Sequence, residues 1–207
     1  SGCEMQVITG DETGLVKVVD VAARTFTKYG EQSREQGVRG MVWLRGDTGH
    51  GSVAAVRASG SVDIYSVLRQ EGAAVLVHRE CLQTGLKPLS VRRVGSQLLV
   101  YDAEGSVCLL DAASGAAEAR VSFTVRGPLS TCATDTQGRI LFGGRENDVT
   151  LYAAETQQLV WEAKNVGQDK LHLRVPVWLA CLAFPTHCDA SSSPSGSGSS
   201  GSSGASS

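Results

Sequence analysis

The chain has little with which to do covalent chemistry. Nucleophile elbows of the G-x-S-x-G type, H-E-x-x-H metal helices and phosphate-binding P-loops are missing from its 207 residues. Its six cysteines, Cys3, Cys81, Cys108, Cys132, Cys181 and Cys188, include no Cys-x-x-Cys pair. Cys108 and Cys132 lie in apolar, strand-like runs, so buried reduced thiols are expected. No apolar run approaches the length of a membrane span, and no signal peptide is visible. The chain begins at Ser1 without Met, which leaves room for a lost leader. A net charge of −2 gives no global pull towards nucleic acid, so RNA contact would have to come from a local patch or through partner proteins. Aromatic residues are scarce at 5%.

Glycine, by contrast, is plentiful, and valine and leucine dominate the apolar residues. Such a chain favours short strands and tight turns. Four segments repeat one pattern, in which an apolar run meets a polar turn and an alternating run leaves it. They are Gln6-Val7-Ile8-Thr9 to Leu15–Asp20, Val53–Val56 to Ser61–Ser66, Gln97–Val100 to Ser106–Asp111, and Arg139–Phe142 to Val149–Tyr152. Gly14, Gly60, Gly105 and Asp148 take the turn positions, where positive φ is required. These turns recur at roughly 45 residues, the period of a four-stranded propeller blade. Leucine-rich repeats are shorter, and the helical repeats lack hairpins. Outer strands are expected at Arg24–Phe26, Ala74–Val77, Ala119–Phe123 and Gln158–Trp161, the third after a turn at Ala112–Gly115. Inner strands are expected at Gly40–Leu44, Leu89–Val91 and Ser130–Ala133, and a last one near Pro176-Val177-Trp178. The fold class is therefore all-β, a WD40-type β-propeller of about four blades over residues 1–185. A disordered Ser/Gly tail over 186–207 is expected to follow. Its Gly196-Ser197-Gly198-Ser199-Ser200-Gly201 matches the dinucleotide fingerprint only formally, having no strand before it and no helix after it.

Candidate chemistry is thin. His50 reads as a solvated turn residue, and His78 as following an outer strand. Cys181, His187 and Cys188, with His172 upstream, are too irregularly spaced for a zinc site. Arg92, Arg93, Arg120, Arg126 and Arg139 form no dense basic run. No catalytic residue, metal ligand, cofactor, membrane contact or small-molecule substrate is assigned. The unusual stretch is Ala163–Trp178, which is long for an inter-blade turn and alternates Leu171, Leu173, Val175 and Val177. It reads either as a loop feeding the next inner strand or as a partner-binding loop.

Lys164-Asn165-Val166 followed by Leu171-His172-Leu173-Arg174-Val175-Pro176-Val177-Trp178 resembles the signature of the Nop-seven-associated family of nucleolar WD-repeat factors. Gly10–Lys17 is similar to that family's first hairpin, and Gly143-Gly144-Arg145-Glu146-Asn147 to its Gly-Gly-basic-Glu-Asn turn. The resemblance covers about residues 6 to 178 and corresponds to the N-terminal half of a seven-bladed propeller. It implies a scaffold in ribosomal large-subunit biogenesis and rRNA processing, in the nucleus and nucleolus. It also implies docking on pre-ribosomal proteins and rRNA, and release by an AAA-type ATPase. Two departures stand out. Leu179 follows Trp178 where the family has Asp, and the remaining blades are replaced by the Ser/Gly tail, as in a fragment or a truncated member.

Asn165, Asp169, Arg174, Trp178, Arg145 and Glu146 are the candidate partner-binding residues. Arg174 offers a planar fork for carboxylate or phosphate, Asn165 and Asp169 serve equally well as turn caps, and Trp178 is also expected in the core. A propeller scaffold of another complex, in signalling or ubiquitin ligation, is the alternative reading. An enzyme built around a propeller channel is the third. Four blades in an open arc would leave two terminal sheet faces uncovered, so self-association or marginal stability is expected.

Overall fold

A computed structural model describes residues 5–44, 51–70, 73–111, 120–164 and 175–185. The expected tail, the turn at 112–115, His50, His172, His187, Cys3 and Cys188 lie outside the described residues, as do Asn165, Asp169 and Arg174.

Among the described residues, fifteen strands form four antiparallel sheets, each a meander of strands consecutive in sequence. The first sheet holds β1 (Gln6–Gly10), β2 (Val16–Asp20) and β3 (Thr25–Tyr29). The second holds β4 (Val38–Leu44), β5 (Ser52–Arg57), β6 (Ser61–Gln70) and β7 (Ala73–Gln83). The third holds β8 (Pro88–Val94), β9 (Gln97–Asp102), β10 (Ser106–Asp111) and β11 (Arg120–Thr124). The fourth holds β12 (Thr131–Thr134), β13 (Arg139–Gly144), β14 (Asn147–Ala153) and β15 (Leu159–Glu162). The inner and outer strands expected between Arg24 and Trp161 fall where the repeat placed them, whereas the inner strand expected near Pro176-Val177-Trp178 does not form. The first sheet has three strands, which matches the lack of an inner-strand signal before its hairpin.

Alternation explains the stacking. Successive side chains on a strand point to opposite faces, so a central strand of a stacked blade must be apolar on both. In β9, Leu98 and Val100 pack towards the second blade while Leu99 and Tyr101 pack towards the fourth. In β10, Cys108 and Leu110 face the second blade, and Val107 and Leu109 the fourth. Three core clusters result, one at each seam between successive blades. At the last seam Phe142 meets Tyr101 and Tyr152 edge-on, with centroids 6.0 and 5.8 Å apart.

Among the described residues no further blade covers the two end faces. On the first, Val7, Val19 and Phe26 form one cross-strand row, and Phe26 is 59% exposed. On the last, Leu141, Leu151 and Trp161 form the equivalent row, with Trp161 51% exposed.

The hairpin turns follow one device in the first and third blades. Asp11 Oδ1 accepts the amides of Thr13 and Leu15 at 3.0 and 3.1 Å. Asp102 Oδ1 accepts those of Glu104, Gly105 and Ser106 at 3.0, 2.9 and 2.8 Å. Gly14, Gly60 and Gly105 have φ of +93°, +90° and +102°, as expected. In the fourth turn, however, the left-handed residue is Glu146, at φ +54°, and Asp148 lies within β14. The Gly144–Asn147 pairing after a register shift pulls the turn two residues earlier.

The second blade carries Arg57 where the first and third carry Asp11 and Asp102. Arg57 is 3% exposed. Its Nε donates to Asp63 at 2.7 Å and its Nη2 to the Tyr65 hydroxyl at 2.9 Å. Its Nη1 donates to the carbonyls of Gly14 and Gln36, so one guanidinium stitches the first blade's turn to the second blade.

Candidate docking surface on the fourth blade

The fourth sheet presents Ile140, Phe142 and Tyr152 to the third blade. Arg139, Leu141 and Gly143 therefore point to the opposite, terminal face. Residues 175–185 cross that face. A side chain at Gly143 would come within 2.5 Å of Leu179 Cδ1, so only glycine leaves Leu179 its present seat. At the other end of β13, the Arg139 guanidinium lies 5.3 Å from the centre of the Phe184 ring.

This segment was expected to start a further inner strand. Instead, its one described ladder contact is an isolated antiparallel bridge between Trp178 and Arg145. The Glu146 amide donates to the Val177 carbonyl at 2.6 Å, and the Leu179 amide to the Gly144 carbonyl at 3.1 Å. The Ser130 hydroxyl donates to the Leu179 carbonyl. Thus the Val177 carbonyl and the Leu179 amide are satisfied by the β13–β14 turn, and Ser130 takes the Leu179 carbonyl, so the segment is held across the sheet face.

The bridge brings together two motifs that are remote in sequence. The Arg145 guanidinium lies 5.5 Å from the centre of the Trp178 ring, a cation–π contact. Trp178 is 74% exposed, against the expectation that it belongs to the core. A core position would need another sheet over it. Behind the turn, buried Asn147 donates to the carbonyls of Arg126 and Pro128 at 2.7 and 3.2 Å. These bonds anchor the turn against the preceding loop. Arg145, Glu146 and Trp178 therefore form one exposed feature on a rigid base. Asn147, which underpins it, stood in the sequence motif without a role of its own.

The inner strands offer a second place to look for chemistry. Arg92 Nε donates to the Cys132 carbonyl at 3.2 Å and the Thr134 hydroxyl to the Arg93 carbonyl at 2.8 Å, tying β8 to β12. A cavity of about 620 Å³ lies here, bordered by Arg92, Cys132, Asp135, Arg139 and Phe184. Burial pushes the Cys132 thiol up to about 12, so it stays protonated and a poor nucleophile. Burial works against ionisation of Asp135, but bonds from the Arg139 amide and guanidinium (the latter at 2.5 Å) and from the Gln137 amide hold its carboxyl low. Such an acid is a structural anion, not a proton donor. His78, placed within β7, has Nε2 3.4 Å from Asp63 Oδ1. Among the described residues, no group of three His, Cys, Asp or Glu is placed to hold a metal ion.

No family model matches the chain. Curated relatives do. Over 212 residues the chain is 25% identical to ribosome biogenesis protein nsa1 of Schizosaccharomyces pombe, covering 87% of the chain and 52% of that protein. Over 208 residues it is 22% identical to ribosome biogenesis protein NSA1 of Yarrowia lipolytica, covering 86% and 50%. A shorter stretch of 89 residues is 35% identical to NSA1 of Eremothecium gossypii, covering 39% and 20%. The chain thus has homologues among yeast ribosome biogenesis proteins, and it spans about half the length of the first two.

Proposed function

We propose that this chain, homologous to yeast ribosome biogenesis proteins over half their length, is a docking scaffold in assembly of the large ribosomal subunit. The observation that carries this reading is the Arg145–Trp178 contact. The signature segment and the Gly-Gly-Arg-Glu-Asn turn, the two stretches that resemble nucleolar propeller factors, meet at one exposed point. An exposed tryptophan braced by an arginine on a rigid turn is the composition of a binding hot spot. Asn165, Asp169 and Arg174, on the same signature stretch, are proposed to contact the same partner. The partners are pre-ribosomal proteins with adjoining rRNA, the site of action is the nucleolus, and an AAA-type ATPase releases the scaffold. The role is non-catalytic; the protonated Cys132 thiol and the ion-paired Asp135 favour that reading over an enzyme in the channel.

Affinity purification of the tagged protein from cells tests this. The wild-type protein is expected to recover large-subunit precursors, and R145E/W178A to lose them, with affinity falling about thirtyfold as for a central hot spot. Recovery of a different stable complex, of signalling or ubiquitin-ligase type, would overturn the assignment. Fluorescence imaging outside the nucleolus would overturn the location.

A further inference from the structure

At the seam between the first and second blades, remote from the Arg145–Trp178 surface, a cavity of about 370 Å³ opens beside the ends of β3 and β6. Its size is that of a small ligand site. The Tyr29, Tyr65 and His78 rings border it, with the carboxylates of Glu31 and Asp63 and the guanidinium of Arg57. From these residues we infer that the cavity is a receptor for a lysine or arginine side chain of a partner protein.

The charge arrangement selects a cation. Among the described lining residues Arg57 alone carries a guanidinium, and its nitrogens already donate to Asp63, Gly14, Gln36 and Tyr65. It is turned away from any incoming anion. Two carboxylates border the same space, Glu31 exposed at the rim and Asp63 deeper, with a side chain 15% exposed. Asp63 gives Oδ2 to Arg57 at 2.7 Å, whereas the nearest histidine nitrogen stands 3.4 Å from Oδ1, a long contact. The Tyr65 hydroxyl and the Cys81 thiol also bond this carboxylate, but its lone pairs, about four in number, leave it able to accept a further bond from a cation in the cavity. His78 is half exposed and meets Tyr65 edge-on, with centroids 5.4 Å apart. The aromatic walls suit the apolar stem and the charged head of a basic side chain. The base is rigid, because Tyr65 is held by Arg57 and the Tyr29 hydroxyl accepts the Leu76 amide at 3.2 Å.

The occupant must be basic, long and thin. A lysine or arginine presented on an extended segment meets all three conditions. Its aliphatic stem passes between Tyr29 and His78, and its head reaches Glu31 and Asp63 Oδ1. This inference stands on the cavity's own chemistry and does not depend on the ribosomal reading.

The test is an NMR titration of the full 207-residue chain with capped lysine amide and capped arginine amide. Capped norleucine and glutamate amides serve as controls. Both basic probes are expected to shift the amides of Gly30, Glu31, Tyr65 and His78 and to leave those around Trp178 in place. E31Q, an exposed change, is expected to raise the dissociation constant for lysine amide about threefold while the melting temperature stays unchanged. Equal shifts from norleucine amide would show a merely apolar cleft and overturn the inference. So would binding of the glutamate probe, the absence of shifts with either basic probe, or an E31Q dissociation constant equal to wild type.

Discussion

The amide of Val125 donates to the carbonyl of Gly105 at 2.8 Å, and the Val125 carbonyl turns back so that a Cβ on Gly105 would lie 2.3 Å from its oxygen. The third hairpin turn is thus fitted against the chain that leaves β11, and only a residue without a side chain fits at φ +102°.

Gly105→Ala is therefore expected to destabilise the protein by about 3 kcal/mol, combining left-handed strain with displacement of a backbone carbonyl. Gly95, at φ +59°, has nothing within 4 Å of its Cβ position, and Gly95→Ala is expected to cost only about 1 kcal/mol. Urea denaturation of the two variants measures the difference. Equal midpoints would mean that the turn relaxes freely.

Arg57 is buried against the partly buried Asp63 carboxylate, and removing one member of such a pair leaves the other uncompensated. Arg57→Met is expected to cost about 3–5 kcal/mol. Asp63 would lose its counter-ion, and the carbonyls of Gly14 and Gln36 would lose a donor. The double variant R57M/D63L is expected to recover a substantial part of that loss, since a buried ion pair replaced by apolar groups is often neutral. A double-mutant cycle from denaturation curves checks the coupling.

Stability is expected to fall with acid. Bonds from the Lys17 ammonium (2.7 Å) and the Thr13 hydroxyl (2.7 Å) hold the Asp11 carboxyl well below its ordinary value. The Ala23 amide and the Gln6 side chain hold Asp20 low as well. A carboxyl with a folded pKa below its unfolded one stabilises the protein above the unfolded value, near 4. That contribution disappears as pH falls through the folded value. The urea midpoint should accordingly decline from about pH 5 downwards. Asp11→Asn should be less stable at neutral pH and should lose less on acidification. An unchanged pH slope in the variant would remove Asp11 from the account.

The end faces are expected to make the isolated chain associate. Met5, Val7, Val21 and Phe26 are all at least 41% exposed on the first blade, and contiguous exposed apolar side chains favour association. Sedimentation velocity should show weight-average size rising with concentration. Phe26→Glu with Trp161→Lys, placing opposite charges on the two end rows, should suppress homotypic stacking of either face on its own kind. A wild-type monomer at every concentration would contradict the prediction.

Much of the architecture was legible from local chemistry. Gly14, Gly60 and Gly105 mark turns because left-handed backbone excludes side chains there, and the period between them is a property of chain length per blade. The double-sided apolar runs Leu98–Tyr101 and Val107–Leu110 announce central strands stacked on both faces. The Asp11 and Asp102 turns repeat one spacing from the following glycine, and the same spacing marks Arg57 as the exception, a regularity visible in the sequence once the blades are aligned.

The repeating hairpin follows from the amino acids alone, because turn conformation and strand alternation are set within a few residues. Other features arise only where elements meet. The Gly144–Asn147 pairing moved the fourth turn to Glu146, a register effect no single residue encodes. Trp178, apolar and next to a strand-like run, read as a core residue as much as a contact. It stands exposed because burial depends on which sheet arrives to cover it, and here residues 175–185 are the cover themselves. The meeting of Arg145 with Trp178, and of Arg57 with Gly14, follows from the stacking of blades, which brings remote residues to one point through packing geometry.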